Sequence, residues 1–369
     1  MNFNEKQLNN IFVNSEPSLD SFAAMKEYFD SSLKNHMYES ELWKDFATDE
    51  KEIHAMICEF LLGNGKRLRP LLFFMLYASY EKNVNHELSR KLMLSMELIH
   101  AFILIHDDII DKSNQRRMKP TMHQIFNEFI LNGKSHYSTP ITGENVAMVA
   151  GDMLYAYAID LVNDTELSND ILSKILKLIT KSAVFTALGE FKEIIGTFRE
   201  IGSFANDDVL SLYDLKTSYY TFFAPMQIAT VLSGKDSDIE AIKSISFLLG
   251  KSFQLANDIS ELRDFGANYN FHPKDFEEKK RTFVLLQTYT LVSHEEKRWI
   301  DSFLKSNSNG VDEYKYLYDL IISSGAFDQT VNLAINYKKT AFEQMQNLTL
   351  ADVDINKIKL YMDLIIKIN

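Results

Sequence analysis

The chain has 369 residues, of which 39 are Lys or Arg and 51 are Asp or Glu, a formal net charge of −12. That acid excess argues against a general nucleic-acid binder, whose phosphate contacts need a basic face. Any contact with a phosphate would therefore have to come from local basic clusters or bound metal. With 46% hydrophobic and 24% charged residues the chain is globular, and its single cysteine excludes a disulfide framework and fits a reducing compartment.

Residues 1–50 read as a polar extension with one or two amphipathic helices. MNFNEKQLNN has no cleavable apolar core, and Phe22, Met25, Tyr28 and Phe29 recur at helical spacing. Cys58 lies in an apolar helical stretch and reads as core filler rather than nucleophile. The apolar runs 71–76 and 98–105 are far shorter than the about 18 residues of a bilayer span, so the expectation is a soluble, cytoplasmic protein with no integral membrane segment. Residues 92–105 are apolar nearly all round, which predicts a helix buried at the centre of a helical assembly. Gly, Ser, Thr and Pro cluster over 127–144, which predicts a loop, and a second loop is expected from 266 to about 274. Three- and four-residue apolar spacing over 171–187, 239–259 and 331–348, with no two-residue alternation, makes the fold class all-α. Residues 51–369 are expected to form one large helical domain.

Five segments carry chemistry. In Gly63-Asn64-Gly65-Lys66-Arg67-Leu68-Arg69-Pro70, two glycines precede three cations in four residues. That suits close backbone approach to an anion, although a solvated basic turn has the same composition. In Ile105-His106-Asp107-Asp108-Ile109-Ile110-Asp111-Lys112, Asp107 and Asp111 are four apart and share a helical face. Like charges that close, at the end of the most apolar helix, are costly unless a cation intervenes, and oxygen ligands suit Mg²⁺ bridging carboxylates and a substrate phosphate. A solvated helix end is the alternative for the acidic triplet alone. Arg116 and Arg117, a few residues on, weigh against it because Arg pairs bidentately with phosphate oxygens. Lys216-Thr217 leads into the aromatic run Tyr219-Tyr220-Thr221-Phe222-Phe223, whose commoner use is core packing. Gln254, Asp258 and Glu261 share a helical face, and Lys280-Arg281-Thr282 follows the second loop. Singly each could be a solvated polar face. Together they are an inventory for gripping two diphosphates around an apolar cavity.

These motifs, in this order, resemble those of the trans-isoprenyl diphosphate synthases of the polyprenyl synthetase family: GKRLRP at 65–70, DDIID at 107–111, RRMKPT at 116–121, GD at 151–152, KT at 216–217, FQ at 253–254 and KRT at 280–282. The stretch 216–234 looks most like the short-chain farnesyl and geranylgeranyl branch. The resemblance implies an isoprenyl synthase helical bundle around a deep central apolar cavity, a homodimer, and head-to-tail joining of isopentenyl diphosphate to an allylic diphosphate. It further implies that Asp107 and Asp111 ligate Mg²⁺ on the allylic diphosphate, which Arg116, Lys216 and Lys280 also contact. Lys66, Arg69, His100 and Arg117 would hold isopentenyl diphosphate, Thr217 and Gln254 would line the cation's path, and Asp258 would bind a further Mg²⁺.

The second acidic motif of the family usually reads DDxxD, whereas this chain has Asn257-Asp258-Ile259-Ser260-Glu261, so weaker Mg²⁺ affinity is expected there. Phe271 stands where the family often has a lysine, with Lys274 the nearest candidate, and Glu190 and Glu193 replace a common Gln and Asp. Two other readings of the scaffold are a class I terpene cyclase and a weakly active subunit of a heteromeric synthase; the intact basic residues and the intact first acidic motif speak against them. For product length, Ile103 lies one turn above Asp107 and Phe102 is five before it, ~7.5 Å along the helix. By resemblance an aromatic there goes with short (C15–C20) products, geranylgeranyl diphosphate favoured over farnesyl diphosphate.

Overall fold

The computed structural model describes residues 19–116, 119–132, 141–306 and 308–368. In chain order the helices are α1 (Leu19–Glu39), α2 (Glu41–Asp49), α3 (Lys51–Leu61), α4 (Leu68–Tyr80) and α5 (His86–Ile110). A two-stranded ribbon follows, β1 (Gln115–Arg116) antiparallel to β2 (Lys119–Pro120), with Gln115 opposite Pro120 and Arg116 opposite Lys119. Next come α6 (Met122–Asn132), α7 (Gly143–Asn163), α8 (Asn169–Thr197) and α9 (Asn206–Tyr213). Ten residues of wide π-helical turns, Asp214–Phe223, run into α10 (Ala224–Leu232). The chain continues as α11 (Ile239–Ala267), the short α12 (Lys274–Glu277), α13 (Phe283–Leu291), α14 (His294–Lys305), α15 (Val311–Ser323), α16 (Ala326–Gln344) and α17 (Asp352–Ile365). The all-α expectation holds, the ribbon being the one pair of strands among the described residues.

Contacts group the chain into two compact units, Met1–Ile179 with Val231–Ser233, and Thr180–Thr230 with Gly234–Asn369. In the first, α5 is the central helix that its sequence predicts: residues 92–99, Ala101 and Ile105 are buried. Asn85 caps it, its side chain accepting the Leu88 amide at 3.0 Å. Helix α7 packs along α5, and the Ser95 hydroxyl donates to the Ala158 carbonyl across that seam at 2.7 Å. The apolar face of α1 (Phe22, Met25, Phe29, Leu33, Met37) is buried in this unit, as is Trp43 of α2. Cys58 is fully buried against His54, and burial pushes its thiol up to about 11, which fits core filler and not a nucleophile.

In the second unit α11 is the long central helix, flanked by the π-helical segment and by α16. Ser252 donates to the Ala334 carbonyl at 2.8 Å, and Arg263 ties α11 to the C-terminal backbone at Ile368, 2.6 Å. The aromatic run packs as core: Tyr219 meets Phe185 edge-on at 4.6 Å, and Phe222, fully buried, meets Phe253 at 5.8 Å.

Two sequence expectations need correction. The loop expected over 127–144 is helical at both ends, since α6 continues to Asn132 and α7 begins at Gly143, and residues 133–140 lie outside the described residues. Its polar composition misled: Asn127 lies inside α6 and accepts the Gly143 amide at 2.7 Å, helping to join the two helices. The second loop starts later than expected, since α11 runs through Gly266 to Ala267. Helix α7 is also long and apolar enough, by length and composition, to cross a membrane (mean hydropathy 1.2, with 44% of that window buried). The two short runs considered in the sequence overlooked it. A core helix meets the same criterion, and the packing of α7 on α5 is of that kind.

Candidate active site

Each unit carries its own cluster. The first begins where α5 ends. Asp111 caps the helix, Lys112 turns left-handed at φ 50°, and the Ser113 amide returns to the Asp108 carbonyl at 2.9 Å. This reversal brings Arg116 of β1 back over the helix end. Its Nε donates to both Asp108 oxygens (2.9 and 3.1 Å) and its Nη2 to Asp107 at 3.0 Å. Asp108 is buried, Asp107 and Asp111 are half-buried, and Ile110 is exposed. The ribbon is held down by buried Thr121, which donates to the Ser113 carbonyl at 2.7 Å. Arg117 lies outside the described residues.

The sequence noted GD at 151–152 without a reason for its glycine. A Cβ on Gly151 would stand 2.5 Å from the His106 ring, so α7 can pass α5 at this level only with no side chain there. One residue on, Asp152 lies 3.4 Å from His106 Nε2. Phe102 and Ile103 sit one turn or so above Asp107, both half-buried. The Phe102 ring lies 5.1 Å from Tyr155 of α7 and 4.7 Å from His106. His100 is half-buried further up the same helix.

The basic turn before α4 belongs to this unit. Lys66 is exposed, Arg69 is buried in the first turn of α4, and Pro70 follows where a missing N–H costs nothing. Arg67 between them is buried and pairs with Glu97 of α5 and Asp30 of α1. Burial pulls the guanidinium's pKa down, but the two carboxylates outweigh it and leave it above its ordinary value. Neither partner was foreseen; Glu97, an acid inside the most apolar run of the chain, is the signal that could have found one of them.

In the second unit the π-helical turns carry Lys216 and Thr217. Such turns are rare and widen the helix locally. A Cβ on Gly189 would lie 2.8 Å from the Lys216 amide nitrogen, so α8 approaches the Lys216 backbone through a glycine. The Lys216 ammonium is held by two acids of α8, at 2.9 Å from Glu190 and in a close ion pair with Glu193. Thr217, buried, donates to Gln254 Oε1 at 3.0 Å, and Gln254 donates to Asp258 at 3.3 Å. Asp258 also accepts from the Tyr213 hydroxyl at 2.5 Å, which in turn accepts the Phe283 amide at 3.0 Å. The shared face of Gln254 and Asp258 read from the sequence is therefore a continuous hydrogen-bonded chain. Tyr213 was missed; nothing in its sequence context marks it.

Asp258 is 4% exposed, whereas Asn257 is on the exposed side of α11. Burial pushes the Asp258 carboxyl well above its ordinary value and Asp275 adds to this, while the hydrogen bonds from Tyr213 and Gln254 pull it back. Glu261 is pushed up to about 8, by burial first and then by Asp275, although its oxygen accepts the Asp275 amide at 2.7 Å. Lys280 pairs with Glu278 at 2.5 Å, Lys274 is exposed, and Thr282 caps α13.

Among the described residues no three acid, imidazole or thiol groups form a ready-made metal cage. The donors present are nevertheless all oxygen, and Asp107, Asp108 and Asp111 crowd the negative end of a helix dipole. This fits a cation that keeps water and takes one or two carboxylates together with substrate phosphates, the habit of Mg²⁺.

The profile of the polyprenyl synthetase family matches residues 50–321. The chain is 26% identical over 308 residues to the geranylgeranyl diphosphate synthase of Sulfolobus acidocaldarius, covering 82% of this chain and 86% of that one. It is 26% identical to the geranylfarnesyl diphosphate synthase of Aeropyrum pernix (83% and 91% covered). It is likewise 26% identical to an all-trans-nonaprenyl-diphosphate synthase of Rhodobacter capsulatus (82% and 86%). Its fold is that of the geranylgeranyl pyrophosphate synthase of Corynebacterium glutamicum, solved with isoprenyl diphosphate and magnesium, at a TM-score of 0.81 and 22% identity over 95% of this chain and all of that one. The chain belongs to the polyprenyl synthetase family. It is a prenyltransferase that makes isoprenyl diphosphates, and its family is Mg²⁺-dependent.

Proposed function

We propose that this prenyltransferase joins isopentenyl diphosphate head to tail to a dimethylallyl, geranyl or farnesyl diphosphate and stops at geranylgeranyl diphosphate. The observation that carries the reading is the end of α5: Asp107 and Asp108 are bound by Arg116 at the helix terminus, with an aromatic, Phe102, packed on Tyr155 just above them. Asp107 and Asp111 hold Mg²⁺, and Arg116 trades its carboxylate partners for phosphate oxygens when substrate arrives. Bound Mg²⁺ supplies charge neutralisation on the departing diphosphate. Lys66, Arg69, His100 and Arg117 hold isopentenyl diphosphate. In the second unit Lys216 and Lys280 offer charge to a diphosphate, Asp258 is the acid kept for a further Mg²⁺, and Thr217 and Gln254 are fixed dipoles toward developing positive charge. The relatives support a C20 product through the geranylgeranyl synthases among them, and the Phe102 ring supports a short cavity.

The proposed partner is a second copy of the chain. Val184, Leu188, Phe191, Ile195 and Phe198, at spacings of four and three, form an exposed apolar stripe along α8 and just past it, with Phe198 86% exposed. Light scattering at twice the chain mass supports the dimer, and a stable single-chain mass contradicts it. Incubation with Mg²⁺, isopentenyl diphosphate and each allylic diphosphate, with products read by mass spectrometry, tests the activity. Geranylgeranyl diphosphate is the expected product. Hydrocarbons would mean cyclisation, and no turnover a subunit role.

A further inference from the structure

Arg67 stands in the basic turn between Lys66 and Arg69, yet all three of its guanidinium nitrogens are engaged inside the protein. Nη1 donates to Glu97 at 2.5 Å, and Nη2 to the carbonyls of Leu61 (3.0 Å) and Gly63 (2.8 Å). Nε donates to Asp30 at 2.8 Å. Arg67 has φ 52°, a left-handed conformation that a residue other than glycine keeps only where its surroundings hold it. The two carbonyl bonds are local to the turn. The two carboxylates come from elsewhere: Glu97 from the buried middle of α5 and Asp30 from α1.

Asp30 is itself steadied. Its other oxygen accepts from Lys26 at 2.6 Å, one turn earlier on α1, and the neighbouring Phe29 is buried with Met25 and Leu33. The apolar face of α1 thus fixes the height at which Asp30 meets Arg67. Helix α1 lies wholly before residue 50, where the family match begins.

We propose that Asp30 is a positioning residue for isopentenyl diphosphate. Acting through Arg67, it holds the left-handed turn that sets Lys66 and Arg69 relative to each other, so that α1 forms part of the substrate site. The inference rests on the assignment of Lys66 and Arg69 to isopentenyl diphosphate. Without Asp30 the Arg67 charge is still met by Glu97, so the fold survives, but the turn loses its outer brace. Isopentenyl diphosphate must then restore the geometry on binding, at a cost in affinity. The acidic end of α5 is braced independently by Arg116, so allylic diphosphate affinity is untouched.

The test uses the full chain. Calorimetric titration with isopentenyl diphosphate alone should show a dissociation constant raised about tenfold in Asp30→Ala, the size expected for one lost charge-assisted hydrogen bond. Steady-state KM for isopentenyl diphosphate should rise in parallel, while KM for the allylic diphosphate and kcat at saturation stay at wild-type values. Asp30→Asn keeps the shape and one acceptor and should show the same split in smaller measure, and Asp30→Glu should restore part of the loss. An unchanged isopentenyl diphosphate affinity in a folded variant overturns the proposal. So does an equal rise in both KM values, which would mean general loosening. Wild-type protein that binds no isopentenyl diphosphate would instead overturn the underlying assignment, and this inference with it.

Discussion

Tyr213 illustrates how far one hydroxyl reaches. It donates to buried Asp258 and accepts from the Phe283 amide, linking the acid of α11 to the start of α13. Its donation favours the charged form of Asp258 against the burial that opposes it. Tyr213→Phe should therefore leave Asp258 more protonated and raise the Mg²⁺ concentration needed for half-maximal activity. It should also cost ~1–3 kcal/mol of stability through the orphaned buried groups. A lower Tm with an unchanged Mg²⁺ requirement would make Tyr213 purely structural. Lys216, Thr217, Gln254 and Asp258 were legible because each is a polar residue in a recognisable pattern. Tyr213 and Asp30 were not, because a partner that acts through another side chain leaves no spacing of its own, and Glu97 showed only as an acid inside an apolar run, with nothing to name its partner. The buried state of Asp258 beside exposed Asn257 was equally hidden: the two are adjacent in sequence, and only the rotation of α11 separates them.

At the scale of elements, α5 does three jobs along its 25 residues. Its middle is core, its last turn presents the acids, and the turn between them carries Phe102 against Tyr155 of α7. If that ring closes the cavity, Phe102→Ala should lengthen the product distribution by at least one isoprene unit, read by mass spectrometry of the diphosphates. A folded, active variant with the wild-type product would move the cavity floor to another helix. The centrality of α5 was plain in the sequence because a helix apolar on all sides has no solvent face. The ends of α6 and α7 were not, because Asn127 and Gly143 join helices with residues that composition assigns to loops. The π-helical turns under Lys216 were also invisible, since the same aromatic and β-branched residues would serve an ordinary helix.

For the whole molecule, the motifs spread from residue 65 to 282 made the family legible, while the grouping into two compact units and the burial of α1 needed the fold. The central claim is that Asp107 anchors the charge of the allylic diphosphate while the chain is extended. The direct measurement is the rate of geranylgeranyl diphosphate formation from farnesyl and isopentenyl diphosphates in saturating Mg²⁺, for the wild type and for Asp107→Ala, with helicity and Tm checked by circular dichroism. Asp107→Ala should slow formation by at least ~10²–10³, the usual loss when one group stabilising transition-state charge is removed. A folded Asp107→Ala variant that extends the chain at close to the wild-type rate would contradict the account.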